Sequence, residues 1–347
     1  MEYLWDNIKK YYKPIIIVII LVIAVIVTYA CRKQQTGLKV VNPDNEKVLF
    51  SQLSLDGKSM YYFSQNKKYL KKWDLEKNKT ENWLELNFDT VDRITYAPDM
   101  EKALVHWSNP ENAFDAHTLL ISLNDKKPEN ELSTNILNAA WSADSSKIAY
   151  HYFDWDNNIN NISISDPDGS NAEKILDTKI DDLGFAWTDE NTLIYYSIPS
   201  EISTTELNNL DINSKNSSVI ASDIYINNIK SVNNQKKALL DIANDENSFY
   251  KLNVYDSKTK KLTALDLATT VAQTGQVADT SILYTAYRPS STSSSDQLEK
   301  IDLSSNKIDK IDLKLNQIIK TEALFPTSDG KTLYIVSDGD LYKIILQ

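Results

Sequence analysis

The stretch WSADSSKIAY at 141–150 recurs in weaker copies along the chain, and the interval between copies restricts the fold more than any other feature of the sequence. In each copy an acidic or amide residue stands in the turn after the first apolar stretch, at Asp56, Asp99, Asp144, Asp189, Asn234, Asp279 and Asp329. The successive spacings are 43, 45, 45, 45, 45 and 50 residues. An ordinary mixed domain has no reason to keep such a period, whereas stacked copies of one small unit require it.

Each copy continues with a second apolar stretch, such as MYYF at 60–63, ALVHW at 103–107, IAYHY at 148–152 and LIYYS at 193–197. These runs are short, aromatic and β-branched, and turn residues bound them, so they read as strands. Met60, Tyr61 and Tyr62, like Leu193, Ile194 and Tyr195, do not alternate with polar residues, so both faces of the strand are buried. A third stretch often ends in Asp before a polar turn, as in KKWDLEKNK at 71–79 and IDLSSNK at 301–307. That Asp can accept from the backbone two residues ahead and start a hairpin. A shorter fourth stretch closes the unit.

Four strands every 45 residues predict an all-β chain, a seven-bladed β-propeller of four-stranded blades. The blades run roughly 47–87, 88–133, 134–178, 179–222, 223–268, 269–314 and 315–347. The last copy stops after its third strand, and 38–42 is the expected fourth, which would close the ring and remove its exposed edges.

WSADSSKIAY, with SLDGKSMYY at 54–62 and TSDGKTLYI at 327–335, resembles the WSPDGK-type repeat of TolB-like and prolyl-oligopeptidase-type propellers. The resemblance covers most of 39–347 and implies the propeller fold. Such repeats serve scaffolds, periplasmic binding modules and the noncatalytic domains of peptidases, so the fold alone assigns no activity. Nothing follows the seventh copy that corresponds to the peptidase family's hydrolase domain.

Ahead of the repeats, 15–30 reads IIIVIILVIAVIVTYA, flanked by Lys9, Lys10 and Lys13 before and Arg32 and Lys33 after. Insertion of this run is favoured by about 4 to 7 kcal/mol, and only a helix satisfies its backbone in lipid. The expected organisation is a short cytoplasmic tail (1–14), a single transmembrane helix at 15–31 acting as a signal anchor, a linker (32–38) and the propeller (39–347) outside the cytoplasmic membrane. Cleavage after Ala30 and acylation at Cys31 are competing readings.

Seven glycines are too few and too scattered to write a nucleotide fingerprint, a phosphate loop or a nucleophile elbow. Three histidines and one cysteine give no zinc spacing, so no metal and no cofactor is expected. A net charge of -11 argues against nucleic acid as a ligand. The longest connections between second and third strands fall in the middle five copies, at 108–117, 154–161, 197–206, 243–248 and 288–296. Binding residues favour such loops on a rigid scaffold. The candidates are Phe114, Asp115, Asp154, Trp155, Asp156, Glu201 and Glu206, an acidic face with aromatic anchors for a cationic or peptide partner; the same loops carry Asp245 and Asp296.

His106 and His151 hold the same place in consecutive copies, seven residues after the turn residue. Phe63, Tyr196, Asp241, Ala286 and Val336 stand there elsewhere, which favours packed, hydrogen-bonded histidines. Arg93, Lys230 and Glu322 are polar first-strand residues that could face a central channel. The functional expectation is a membrane-anchored, non-enzymatic module that binds or scaffolds a protein or peptide partner. A hydrolase or lyase with its site at the channel mouth is the alternative.

Overall fold

The computed structural model describes residues 39–41, 46–88, 90–109, 112–198, 204–232, 236–245, 248–288, 296–311 and 320–346, with the backbone alone at 39, 40, 109 and 112–116. The segment read as a transmembrane anchor, 15–31, lies outside the described residues, and among those residues no helix is long and apolar enough to cross a membrane.

The described chain is a succession of antiparallel strands with one short 3-10 turn at Val271–Gln273. After β1 (Lys39–Val40), the first meander is β2 (Leu49–Leu53), β3 (Ser59–Ser64), β4 (Tyr69–Asp74) and β5 (Lys79–Glu85). The second is β6 (Thr90–Tyr96), β7 (Lys102–Asn109), β8 (Asn112–Ser122) and β9 (Lys127–Glu131). The third is β10 (Ile136–Trp141), β11 (Ile148–Asp154), β12 (Ile159–Ser165) and β13 (Glu173–Asp177).

A seven-stranded sheet comes next, made of β14 (Leu183–Asp189), β15 (Thr192–Ser197), β16 (Thr205–Asp211), β17 (Asn216–Val232), β18 (Lys237–Ala243), β19 (Lys251–Asp256) and β20 (Lys261–Ala264). Its length comes from β17, which pairs with β16 through Asn216–Ile224 and with β18 through Tyr225–Val232. The break expected near 222 is therefore one continuous strand. The chain ends with β21 (Thr274–Gln276), β22 (Ile282–Tyr287), β23 (Gln297–Asp302) and β24 (Lys307–Ile311), then β25 (Ala323–Pro326), β26 (Thr332–Ser337) and β27 (Asp340–Ile345). This last sheet takes its fourth strand from the other end of the chain: β1 pairs with β27 in the register Lys39↔Lys343 and Val40↔Tyr342, and Val41 N donates to Leu341 O at 2.9 Å.

The repeated turn residue does the same work in copy after copy. Asp56, Asp99, Asp144, Asp189 and Asp329 each accept from the backbone N–H two residues on, at 2.9–3.1 Å. In three copies the hydroxyl of Ser54, Ser142 or Thr327 donates to that carboxylate at 2.6 Å. Gly57 and Gly330 supply the left-handed residue of the turn; where glycine is missing, Met100 (φ 59°) and Ser145 (φ 62°) adopt it instead.

Second strands are buried on both faces, as their unalternating pattern requires, with Ile148 and Ala149 fully buried. Their side chains pack between neighbouring sheets: Leu104 clusters with Ala139 and Trp141 of the next meander, and Ala149 with Phe185 and Leu193. Trp141 and Trp187 tie adjacent sheets by donating from the indole to Thr95 O (2.9 Å) and Ala140 O (3.1 Å) of the preceding first strand. Where first strands approach most closely there is no room for a side chain: a Cβ on Gly275 would meet Leu324 O and Pro326 Cδ at 2.4 Å.

Candidate functional site

Residues of β2, β6, β10, β14, the second half of β17, β21 and β25 together line one central channel of about 690 Å3. First strands are innermost, so their side chains decide what the channel offers. Arg93 and Lys230 line it, as the sequence allowed; Glu322 is not among the lining residues, and its Oε2 accepts from Gly339 N at 3.2 Å. Arg93 donates from Nη2 to Asn138 Oδ1 at 2.6 Å, and Asn138 Nδ2 donates to Leu183 O at 2.7 Å.

At the end where second strands finish, the seventh residue after each turn residue forms a further ring, of which Tyr196 also lines the channel. Phe63, His106, His151, Tyr196, Asp241, Ala286 and Val336 are all buried, so the ring is polar over four consecutive positions and apolar over three. Register places the polar arc against the channel strands, with Arg93 opposite His106, Asn138 opposite His151 and Gly184 opposite Tyr196. The tyrosine ring explains Gly184, because a Cβ there would meet its Cε1 at 2.3 Å. Opposite Asp241 the β17 ladder shifts register between Ile226 and Ile229, and Asn227 Nδ2 donates to Asp241 Oδ2 at 3.5 Å.

The arc is only partly satisfied. His151 Nε2 donates to Asn160 Oδ1 at 2.8 Å, and His106 Nδ1 lies 3.0 Å from the Thr118 hydroxyl, but among the described residues His151 Nδ1 and His106 Nε2 have no partner. Burial lowers both imidazoles, His106 well below the ordinary histidine range with Arg93 adding to the effect, so both are neutral at pH 7. Burial pushes the Asp241 carboxyl up to about 7, against the lowering effect of Val271 N, which donates to its Oδ1 at 2.5 Å. Partial burial also raises Asp182 at the start of β14, against attraction from His151 and Arg93. The expectation of packed, hydrogen-bonded histidines holds, and each keeps one ring nitrogen without a partner among the described residues.

The rim at this end is apolar and exposed over the third to fifth repeats. Among the described residues, Leu137, Trp155, Ile159, Ile198 and Phe249 are exposed here, whereas Leu55 lies at the opposite end and Val219, Ile308 and Ile345 lie on outer strands. Trp155 is 77% exposed and contacts Phe153 edge-on at 4.7 Å, and Phe153 contacts His151 at 5.9 Å, so aromatic rings run from the rim to the buried arc.

The loop candidates are distributed differently from the expectation. The run 108–117 is mostly strand, because β7 and β8 pair as far as Asn109↔Asn112 and the stacked rings of Phe88, Trp107 and His117 hold the hairpin straight. Phe114 and Asp115 thus lie in β8 and not in a loop, with their side chains outside the described residues. Asp154 closes the β11–β12 turn by accepting from Asn157 N (3.1 Å) and Nδ2 (2.9 Å), which leaves Trp155 and Asp156 at its exposed tip. Glu206 is an exposed strand residue in β16, and Glu201 lies outside the described residues. Asp296 is only 4% exposed, pairs with Arg288 at 3.0 Å and accepts from Thr321 N at 2.7 Å, a structural role in place of the acidic-face one. Asn138 and Asn227 are signalled in the sequence only by their repeat position among polar first-strand residues, whereas Asp182 and Phe249 sit in connections that no repeat constrains. Among the described residues no group of three His, Cys, Asp or Glu is placed to hold a metal ion.

No protein-family model and no curated protein matches the sequence. Solved structures do match. The WD40 repeats of RRP9 superpose with a TM-score of 0.60 at 10% identity, over 89% of this chain and 97% of that one. An uncharacterised protein from Listeria monocytogenes EGD-e gives 0.57 at 16% identity, over 87% and 95%. An oligogalacturonate lyase in complex with manganese gives 0.51 at 14% identity, over 86% and 76%. The fold is a β-propeller of the WD-repeat-like kind.

Proposed function

We propose that this chain is a seven-bladed propeller, with β17 serving as the last strand of the fourth blade and the first strand of the fifth, and that it binds a protein or peptide partner on the face around its channel mouth. A single helix at 15–31 tethers it to the membrane with the propeller on the extracytoplasmic side. The reading rests on one observation: five exposed large hydrophobic residues, Leu137, Trp155, Ile159, Ile198 and Phe249, gather on one face of three consecutive repeats. Exposed apolar groups gathered at one place and rimmed by carboxylates, here Asp156 and Glu206, mark association surfaces. Their negative charge favours a partner segment carrying Lys or Arg.

A photo-crosslinking residue placed at 155 or 249 in intact cells tests this. The same adduct is expected from both positions and from neither 55 nor 219, exposed apolar sites off this face. Equal capture from all four would contradict the reading. A membrane-impermeant maleimide is expected to label Trp155→Cys in the same cells; protection from it would place the propeller on the other side.

A second reading has its own support. Asp182 and Asp241, both with raised carboxyls, flank Tyr196 beside His151 and Arg93. That combination at a channel mouth suits general acid–base work in a hydrolase or lyase.

A further inference from the structure

The charge of the channel is opposite to that of the chain. The sequence carries 48 acidic residues against 37 basic ones, yet among the described residues lining the channel no Asp or Glu occurs, and Arg93 and Lys230 are the charged groups there. Among the described residues neither makes an ion pair. Arg93 has the Asn138 amide oxygen and is attracted by Asp182, Tyr196 and Asp92, and Lys230 has the Thr274 carbonyl at 3.5 Å, the outer limit of a hydrogen bond. Both are exposed to solvent through the channel, and the protein around them lowers both, most plainly Lys230, which has no compensating charge. A cation without an ion pair contributes little to the stability of a fold.

The two cations stand at different heights. Arg93 pairs with His106, which is equivalent in the repeat to Asp241, while Lys230 pairs with Leu239, two residues short of Asp241. At about 3.3 Å per residue, Lys230 lies roughly 7 Å deeper, and on a strand well round the ring. The lining is otherwise neutral, and its amide groups come from Gln52, Asn138, Asn227, Asn228 and Gln276. A volume of about 690 Å3 is that of a small-molecule site.

We infer that the channel binds a small organic dianion with a carboxylate at each end, one on Arg93 near the mouth and the other on Lys230 deeper in. The guanidinium offers its remaining N–H groups to one carboxylate in a fork, the ammonium takes the other as a point charge, and the lining amides serve the polar middle of the molecule. A single phosphate or acetate would satisfy one cation and leave the other bare.

Thermal unfolding of the whole chain, with unbranched dicarboxylates from succinate to pimelate at constant ionic strength, tests the inference. The expected result is a concentration-dependent rise in midpoint with an optimum in chain length, and a much smaller rise for acetate and inorganic phosphate. Arg93→Gln and Lys230→Met are each expected to weaken the dicarboxylate effect about tenfold or more, while Lys77→Gln, in an outer turn, leaves it intact. Without ligand, Lys230→Met is expected to melt at or above the temperature of the original protein. No rise beyond a sodium chloride control, equal binding of acetate and dicarboxylate, unimpaired binding by both variants, or a lower midpoint for unliganded Lys230→Met would each overturn it.

Discussion

Deleting residues 38–43 is expected to lower the thermal unfolding midpoint by about 10 °C. The deletion removes β1, whose two residues and Val41 supply the only partner that the edge of β27 has among the described residues. Each lost backbone bond costs on the order of 1 kcal/mol, and opening the ring also exposes an unpaired strand edge to water and to other chains. The segment between β1 and β2 supports the same closure. Glu46 is buried, and although burial alone would raise its carboxyl, Lys67 and Lys71, at 2.5 and 2.6 Å, hold it down at about 2. Val48 N donates to Gly339 O at 2.8 Å, so the chain is fastened to the last repeat before it enters the first. Differential scanning calorimetry with light scattering reads both expected effects, an earlier transition and earlier aggregation. An unchanged midpoint would mean that β1 only decorates a ring held shut by other contacts.

The second large effect is expected at Trp141, the first residue of the stretch from which the repeat was read. Its indole is 6% exposed, packs with Ala97, Ile148 and Tyr150, and donates to Thr95 O in the neighbouring repeat. Trp141→Ala removes that volume and orphans a backbone carbonyl, so a loss of about 4 kcal/mol is expected from equilibrium denaturation. Trp141→Phe keeps most of the packing and loses the donor, and about 1–2 kcal/mol is expected. If the two variants lost the same amount, the hydrogen bond and not the packed volume would be holding the sheets together. Trp187, bonded to Ala140 O in the same manner, is the internal comparison.

Legibility in the sequence tracks the repeat. Asp144 marks its turn because Asx geometry is local, and Met60, Leu193 and Ile148 show two-sided burial because a strand packed on both faces favours an unbroken apolar run. The closing strand was legible for the same reason: the seventh copy lacks a strand and a spare one stands before the first. Legibility ended where tertiary context decides. Asn216–Val232 is continuous because two sheets share it, which no local signal announces. The run 108–117 carries Pro110 and several polar residues and reads as a loop, yet the stacked rings of Trp107 and His117 extend its hairpin. Arg93 and Lys230 are legible as polar first-strand residues, but their approach to one channel depends on strands from distant repeats lining it together. The repeat position of His106 and His151 predicts packed side chains; their unbonded nitrogens become visible only when every neighbour is in place.

The channel and its mouth exist only if the two ends of the chain meet in one sheet. The most direct measurement is a disulfide between partner residues of that sheet, in the variant Val40→Cys, Tyr342→Cys with Cys31→Ser. These two positions face each other across β1 and β27, so mild oxidation is expected to give a monomeric, intrachain disulfide in high yield, released by reductant and seen as a shift in gel mobility. Thiols that stay free, or that form only dimers between chains, would contradict the closed ring and everything placed inside it.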